Sequence, residues 1–269
     1  MNTSKTKIGI IGYGYVGKSF YKFFKNHYDV ITYDPSLGDN SATKSQINKC
    51  DLAVICVPTP EKEDGSCDTS IVEEAVKWVD SSIIIIKSTV SPGTTDALSK
   101  KYGKKIVFSP EYAGESSYWS PYAFHNSIIE TPFFIFGGDK NVCNQLVNLY
   151  LPICGPTKKY VICTSMEAEL AKYVENTFYA TKVTFFNEIY DICEKSGVTW
   201  NTVRELFLLD PRVNPMHTMV LKNNRGFGGK CYPKDLNAFI KYAETLDGVN
   251  PTLLKSVKKT NEQIRYNNE

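Results

Sequence analysis

Along residues 7–163, short unbroken apolar runs alternate with longer segments of mixed polarity. The runs read KIGII, YDVITYD, DLAVICV, SIIIIKS, KIVFS, FFIFGG and KYVIC. A strand with one wet face alternates apolar and polar residues, whereas a run apolar at every position belongs to a strand covered on both faces. Helical periodicity fills the gaps at 15–26, 69–79, 92–102 and 139–150. This alternation predicts an α/β fold, with a Rossmann-like, doubly wound parallel sheet over residues 1–163.

After Cys163 the pattern changes period. From Thr164 the chain reads as one long helix, opened by a Thr164/Glu167 capping box and stopped at Gly197. Further helices are predicted at 200–208, 235–246 and 252–266, the last with Asn250 as cap and Pro251 in its first turn. Residues 164–269 are therefore expected to form an all-helical region.

Charge narrows the partners. With 31 Lys and Arg against 29 Asp and Glu, and no long run of either sign, neither a nucleic-acid footprint nor a polybasic membrane patch is present. The apolar run near the N-terminus is too short for a signal peptide or a membrane span, so a cytoplasmic protein is expected. Eight cysteines without a CxxC pair fit reduced thiols better than disulfides or a zinc site, so no metal is expected.

Gly12, Gly14 and Gly17 fall in G-x-G-x-x-G register between a strand and a helix that begins with Tyr15 and Val16. That pattern gives a tight turn, an open approach for a pyrophosphate, and close helix-to-strand packing. Asp34 follows about 20 residues on, at the end of the second strand, where a carboxylate binds a ribose 2′-hydroxyl and repels a 2′-phosphate. NAD rather than NADP is the expected cofactor; the plainer role for Asp34 is to start an Asp-Pro turn. Pro58, Thr59, Ser88 and Thr89 follow later strands and should border the same crevice, while Ser91 and Thr94 suit helix caps.

Other candidates are less specific. Glu111, just past a strand, suits a water-activating base or a surface glutamate, and Glu115 is weaker. Lys172 and Asn176 share a helix face that continues through Val183 and Asn187, fitting an oxyanion clamp or an ordinary solvated face. His27, His125 and His217 read as surface or loop residues. In RGFGGKCYPKDL, Gly226, Gly228 and Gly229 let a ligand approach Cys231, and Lys230, Lys234 and Lys172 favour a thiolate. A buried, inert thiol is the default for any one cysteine, but this one suits a nucleophile best. Asp235 would cap the next helix, orient water, or both.

Taken in order, GIIGYGYVG, VICVPTP with DGSCD, KSTVSPGTT, SPEYAGES, AELAKYVENTFYATKVTFFNEI and GFGGKCYPKD resemble the UDP-glucose/GDP-mannose dehydrogenase family across nearly the whole chain. The resemblance implies a two-step, four-electron oxidation of a nucleotide sugar's C6 alcohol to a carboxylate with NAD, most simply UDP-glucose to UDP-glucuronate. GDP-mannose or a UDP-N-acetylhexosamine is the near rival. It implies that Cys231 captures the aldehyde as a thiohemiacetal, later a thioester, with Lys172 and Asn176 on the oxyanion. Asp235 would serve hydrolysis, and Glu111 with Thr89 general-base work through water.

The resemblance further puts Tyr112, Ala113, Lys222 and the stretch Phe227, Gly228, Gly229 at the substrate, Glu115 and Lys234 at the cofactor, and Arg212 at a partner subunit's substrate. A homodimer through the helical region is implied. Two departures stand out. Family members continue into a second nucleotide-binding domain, whereas this chain ends at Glu269. That leaves a naturally short form, a truncated product, or another chain supplying the domain. The segment YAGESSYWSPYAFHNS also departs from the family's pattern, which leaves the sugar open. Two further readings differ in class: a β-hydroxyacid dehydrogenase with one oxidation and no thiol, and an NAD-binding module that does not turn over.

Overall fold

The computed structural model describes residues 5–112 and 127–266. They fall into two compact units, one of residues 1–60 and 68–172, the other of residues 61–67 and 173–269.

The first unit runs β1 (Lys7–Ile11), α1 (Tyr15–Phe24), β2 (Asp29–Tyr33), α2 (Lys44–Ile47), β3 (Leu52–Ile55), α3 (Ser70–Trp78), β4 (Ile83–Ile86), α4 (Thr94–Tyr102), β5 (Ile106–Phe108), β6 (Phe133–Gly137), α5 (Lys140–Cys154) and β7 (Lys159–Cys163). The sheet order is β2-β1-β3-β4-β5-β6-β7. Every residue of β3, β4 and β5 is buried. Successive side chains enter opposite cores: Leu52, Val54, Ile83 and Ile85 join Phe20, Phe24 and Tyr150 on one face, while Ala53, Ile55, Ile84 and Ile86 join Val72 and Val76 on the other. Two covered faces at a side-chain period of two explain the unbroken apolar runs.

One pair departs from the all-parallel expectation. β5 and β6 run antiparallel, meeting at Phe108 and Gly137. A strand apolar on both faces carries no signature of its direction, and such an antiparallel neighbour is common in otherwise parallel sheets. At the other side, β2 and β3 flank β1, so the chain leaves β1 in opposite directions. A crevice opens at such a switch point, beyond the carboxyl ends of β1 and β3.

The long helix α6 (Ser165–Lys195) starts in the first unit and continues in the second. Its box is formed in both directions: Thr164 N–H donates to Glu167 Oε2 at 2.8 Å, and Glu167 N–H to Thr164 Oγ1 at 3.2 Å. Gly197, at φ 74°, ends it. Then come α7 (Trp200–Phe207), α8 (Tyr232–Glu244) and α9 (Thr252–Tyr266). The second unit's largest cluster packs Ala180, Phe227, Leu236, Ile240 and Val257. Residues 61–67 close on an antiparallel bridge from Glu61 to Cys67, and Asn237 Nδ2 donates to Glu61 Oε1 at 2.8 Å. Among the described residues no helix is long and apolar enough to cross a membrane.

Candidate functional site

In the first unit the three glycines of the turn do three different things. Gly12 has φ 89°, and a Cβ there would lie 2.7 Å from the Cys56 carbonyl oxygen. A Cβ on Gly17 would fall 1.9 Å from the Gly12 oxygen, so only glycine lets α1 pack this closely. Gly14 meets nothing within 4 Å and faces open space at the start of α1, ahead of Tyr15 and Val16. An open, Cβ-free helix N-terminus is what a pyrophosphate requires.

Asp34 ties this turn to the end of β2. Its Oδ2 accepts Tyr13 N–H at 2.6 Å and its Oδ1 accepts Ser36 N–H at 2.9 Å. Burial alone would raise its pKa, but these N–H groups and the Lys18 charge outweigh that and hold it below the usual carboxylate range. The turn-starting role is therefore real, since Asp34 caps the short 3-10 segment Pro35–Asn40. An ionised carboxylate accepts about four hydrogen bonds, and two more fit a ribose diol. Glycine cradle and ionised Asp34 together fit a dinucleotide without a 2′-phosphate.

Thr59 and Ser88 are nearly buried, and Ser88 Oγ donates to the Val57 carbonyl at 2.6 Å, lashing the ends of β3 and β4 together beside Pro58. Thr89 is half-buried. The cap of α4 comes from elsewhere than Ser91: Glu169 Oε2 accepts Gly93 N–H at 2.6 Å, and its Oε1 accepts Thr95 N–H at 2.9 Å. A partner that distant in sequence leaves no local signal. Thr94 Oγ1 instead donates back to the Ser91 carbonyl.

Past β5, Glu111 is half-buried and its Oε1 accepts the N–H of Tyr112 at 2.8 Å. Lys172 Nζ lies 4.8 Å from the centre of the Tyr112 ring, so three expected site residues share one corner of this unit. Lys87, the first residue after β4, is buried as well. Its Nζ donates to Ser109 Oγ at 2.7 Å and sits 4.4 Å above the Phe20 ring. Burial pulls its pKa down to about 8 against the opposing charge of Glu111. Ala113, Glu115 and His125 lie outside the described residues.

In the second unit Asn176 and Asp235 are buried, and Asn176 Nδ2 donates to Asp235 Oδ2 at 2.5 Å. Lys234 Nζ donates to Asp235 Oδ1 at 2.5 Å, which uses one of its three N–H donors. Asp235 is not a helix cap. α8 starts at Tyr232, because Pro233 is tolerated in a first turn, and Asp235 lies inside the helix. The capping position belongs to Cys231, an exposed residue, at the helix end that favours negative charge.

Two asparagines hold the loop before Cys231. Asn187 Oδ1 accepts Gly226 N–H at 3.0 Å and Arg225 Nε at 2.8 Å. Asn261 Oδ1 accepts Phe227 N–H at 2.8 Å, and its Nδ2 donates to the Phe227 carbonyl at 3.0 Å. Gly226 and Gly229 have φ 70° and 75°. Gly228 accommodates Arg265, whose Nη1 would be 2.8 Å from a Cβ. Sequence reasoning missed Asn261, Arg225 and Arg265; the available signal was a mid-helix asparagine, which is unfavourable unless its side chain is used.

Three residues stand apart. Arg212 is exposed and forks onto Asp210, with Nη2 2.6 Å from Oδ2, and Lys222 is exposed. His217, expected as a surface or loop residue, is half-buried at φ 62°, with Nε2 3.0 Å from Tyr232 Oη and its ring 4.4 Å from Tyr179.

The chain as a whole is similar to known proteins. The profile of the UDP-glucose/GDP-mannose dehydrogenase family's NAD binding domain matches residues 34–150, and that of its central domain matches residues 166–263. The chain is 31% identical to a UDP-glucose 6-dehydrogenase of Rickettsia prowazekii (strain Madrid E), over 81% of this chain and 50% of that protein. It is 29% identical to a GDP-mannose 6-dehydrogenase of Azotobacter vinelandii, over 78% of this chain and 50% of that protein. The chain thus spans about half the length of the curated relatives it matches. A solved UDP-glucose dehydrogenase from Pyrobaculum islandicum superposes with a TM-score of 0.83 at 27% identity, covering 97% of this chain and 69% of that one. With both family domains matched in order, the chain belongs to the UDP-glucose/GDP-mannose dehydrogenase family.

Proposed function

We propose that this protein oxidises the C6 alcohol of a nucleotide sugar to the carboxylate, with UDP-glucose as substrate and UDP-glucuronate as product, in the cytoplasm. The observation that carries this reading is the exposed residue Cys231 at the start of α8, one turn before a buried Asp235 already engaged by Asn176 and Lys234. An NAD-dependent enzyme that stops after one alcohol oxidation has no aldehyde to capture and so no need of such a thiol.

The Gly12–Gly17 turn, Asp34, Pro58, Thr59 and Ser88 would hold the dinucleotide, which supplies a hydride acceptor for each of two oxidations. Glu111, working with Thr89 through water, takes the proton of the alcohol as C6 loses its first hydride, which leaves the aldehyde. Cys231 sulfur then bonds to the aldehyde carbon, and the carbonyl oxygen takes up a proton to give a thiohemiacetal. Loss of a second hydride and that proton leaves a thioester. Water adds to its carbonyl as Glu111 accepts a proton, the C–S bond breaks, and the thiolate is restored. Lys172 and Asn176 steady the oxyanion at each addition. An amide carries two N–H donors, so Asn176 can hold Asp235 with one and meet the oxyanion with the other.

A homodimer through the helical unit accompanies this reading. Val174, Phe178, Phe185 and Ile192 lie on one face of α6 and are each more than half exposed. An apolar stripe of that length marks an interaction surface.

The test is NADH release from a panel of UDP- and GDP-sugars, with native mass measured alongside. Two NADH per UDP-glucose, with Cys231→Ser blocking carboxylate formation, is the expected result. NAD binding without NADH from any nucleotide sugar would favour a non-catalytic module. One NADH per substrate, with Cys231→Ala fully active, would favour β-hydroxyacid chemistry. Turnover of GDP-mannose or a UDP-N-acetylhexosamine instead would reassign the sugar.

A further inference from the structure

Among the described residues the chain between α7 and α8 forms no strand, so its backbone polar groups need partners other than a ladder. Two successive residues find them in side chains. Gly226 N–H donates to Asn187 Oδ1, from α6. The N–H and the carbonyl of Phe227 are both taken by one amide, that of Asn261 on α9, at 2.8 and 3.0 Å. Asn261 is 6% exposed and lies inside the helix, a place where asparagine is unfavourable. A buried amide left without partners costs stability, and this one spends its oxygen and its nitrogen on a single loop residue.

Gripping N–H and carbonyl together fixes the peptide planes on both sides of Phe227, which a single hydrogen bond does not do. The Phe227 side chain is buried in one cluster with Ala180, Leu236, Ile240 and Val257, so backbone and ring are anchored at once. Only Gly228, Gly229 and Lys230 separate this anchor from Cys231. Gly228 rests against Arg265, one turn further along α9. Gly229 has φ 75° and open space where a Cβ would be, and Lys230 is exposed. Beyond Cys231 the chain is held again, by α8 itself and by Tyr232 Oη at 3.0 Å from His217 Nε2. The sulfur thus stands on a short span between two fixed points, and the nearer support upstream is Asn261.

We propose that Asn261 is a positioning residue for Cys231: by fixing Phe227 it sets where the sulfur stands, and so favours capture of the aldehyde over its escape. The inference rests on the reading of Cys231 as the nucleophile. Asn261 itself touches neither substrate nor cofactor in this role. The first oxidation, in which C6 gives a hydride to NAD and its hydroxyl a proton to the base, makes no bond to sulfur. The bond comes next, when the sulfur adds to the aldehyde carbon and the carbonyl oxygen takes a proton. Such an addition needs the reacting atoms about 3–3.5 Å apart, and a misplacement of about 1 Å slows it about 100-fold. Aldehyde then leaves before it is captured.

The experiment counts NADH per UDP-glucose for the full chain, for Asn261→Ala and for Asn261→Asp, which sets a carboxylate oxygen against the Phe227 carbonyl. Semicarbazide is present to trap any aldehyde that leaves, and NAD affinity and thermal melting are measured alongside. The wild type should give two NADH and no semicarbazone. Both variants should give close to one NADH with a matching amount of semicarbazone, at unchanged NAD affinity. Val203→Ala, which loosens a separate cluster around Phe186 and Trp200, controls for lost stability alone and should still give two. Two NADH without semicarbazone from both Asn261 variants would overturn the role of Asn261 alone, whereas a wild type that yields no NADH from any nucleotide sugar would overturn the reading of Cys231 beneath it. Should neither variant fold, amide hydrogen exchange in the wild-type chain decides. Gly226 and Phe227 should exchange at least about tenfold more slowly than Gly229 and Lys230, and equal rates at all four would overturn the proposal.

Discussion

Asn176 Nδ2 donates to Asp235 Oδ2 at 2.5 Å, a buried bond that joins α6 to α8 in the second unit. Together with Lys234 it makes Asp235 the acceptor at the centre of a three-residue cluster.

Asp235→Asn should therefore have two separable effects. It removes the charge that balances Lys234, and it presents an amide to a second amide, costing about 1–3 kcal/mol of stability. A urea midpoint reads that loss. The family resemblance gives Asp235 a part in thioester hydrolysis; on that reading the same change slows this step, so an acyl adduct on Cys231 should build up with UDP-glucose and NAD, seen as added intact mass. A variant as stable as wild type would sink the structural half, and one that releases product at the normal rate would sink the catalytic half.

The glycines before Cys231 should respond unequally to alanine. At Gly226 a Cβ would lie 2.5 Å from Asn261 Oδ1, and the residue has φ 70°. Asn261 cannot yield without releasing Phe227, so Gly226→Ala should cost about 1–3 kcal/mol. At Gly228 the obstacle is the end of the flexible Arg265 side chain, and φ is not left-handed. Gly228→Ala should cost less than about 1 kcal/mol. Melting temperatures of the two variants rank them, and the reverse order would contradict the asparagine clamp.

How far these features were legible in the sequence depends on how local they are. The α6 capping box involves residues three apart, and Thr164 and Glu167 announce it directly. The glycine turn was equally plain, because each glycine answers a steric demand of its own neighbourhood. The direction of β6 was not, since apolarity on both faces is blind to it. Asp235 could read as a cap, as a water-orienting group or as both, because the sequence does not show that α8 starts at Tyr232 with Pro233 in its first turn. Lys87 read as part of a strand end, and its burial follows only from the packing of α1 and α5 over β4 and β5.

Lys87 makes stability depend on pH with a definite sign. Its folded pKa, about 8, lies below the ordinary lysine value of 10.5, so between these values the unfolded chain binds more protons than the folded one. Stability then rises with pH across that window, and the cost of the buried charge, about 3 kcal/mol at most, is relieved above it. Other thiols and phenols titrate nearby, so the comparison is with Lys87→Met. The variant should be more stable than wild type at pH 7, with the gap closing by pH 10 in urea titrations. A constant gap would show that burial does not tax the ammonium.

The exposed stripe on α6 gives the last expectation. Phe178 and Phe185 are 58% and 53% exposed, and with Val174 and Ile192 they recur on one side of a helix 31 residues long. Large aromatic side chains at the middle of an interface carry much of its energy, and a carboxylate introduced there must be desolvated or repelled by its symmetric copy. Phe178→Glu with Phe185→Glu should weaken self-association by about tenfold or more, while the melting of the monomer changes little. Sedimentation over a dilution series reads the dissociation constant. A wild-type chain that is monomeric at every concentration would remove the dimer from the proposed function, whereas a double variant that still pairs normally would move the interface off this face of α6.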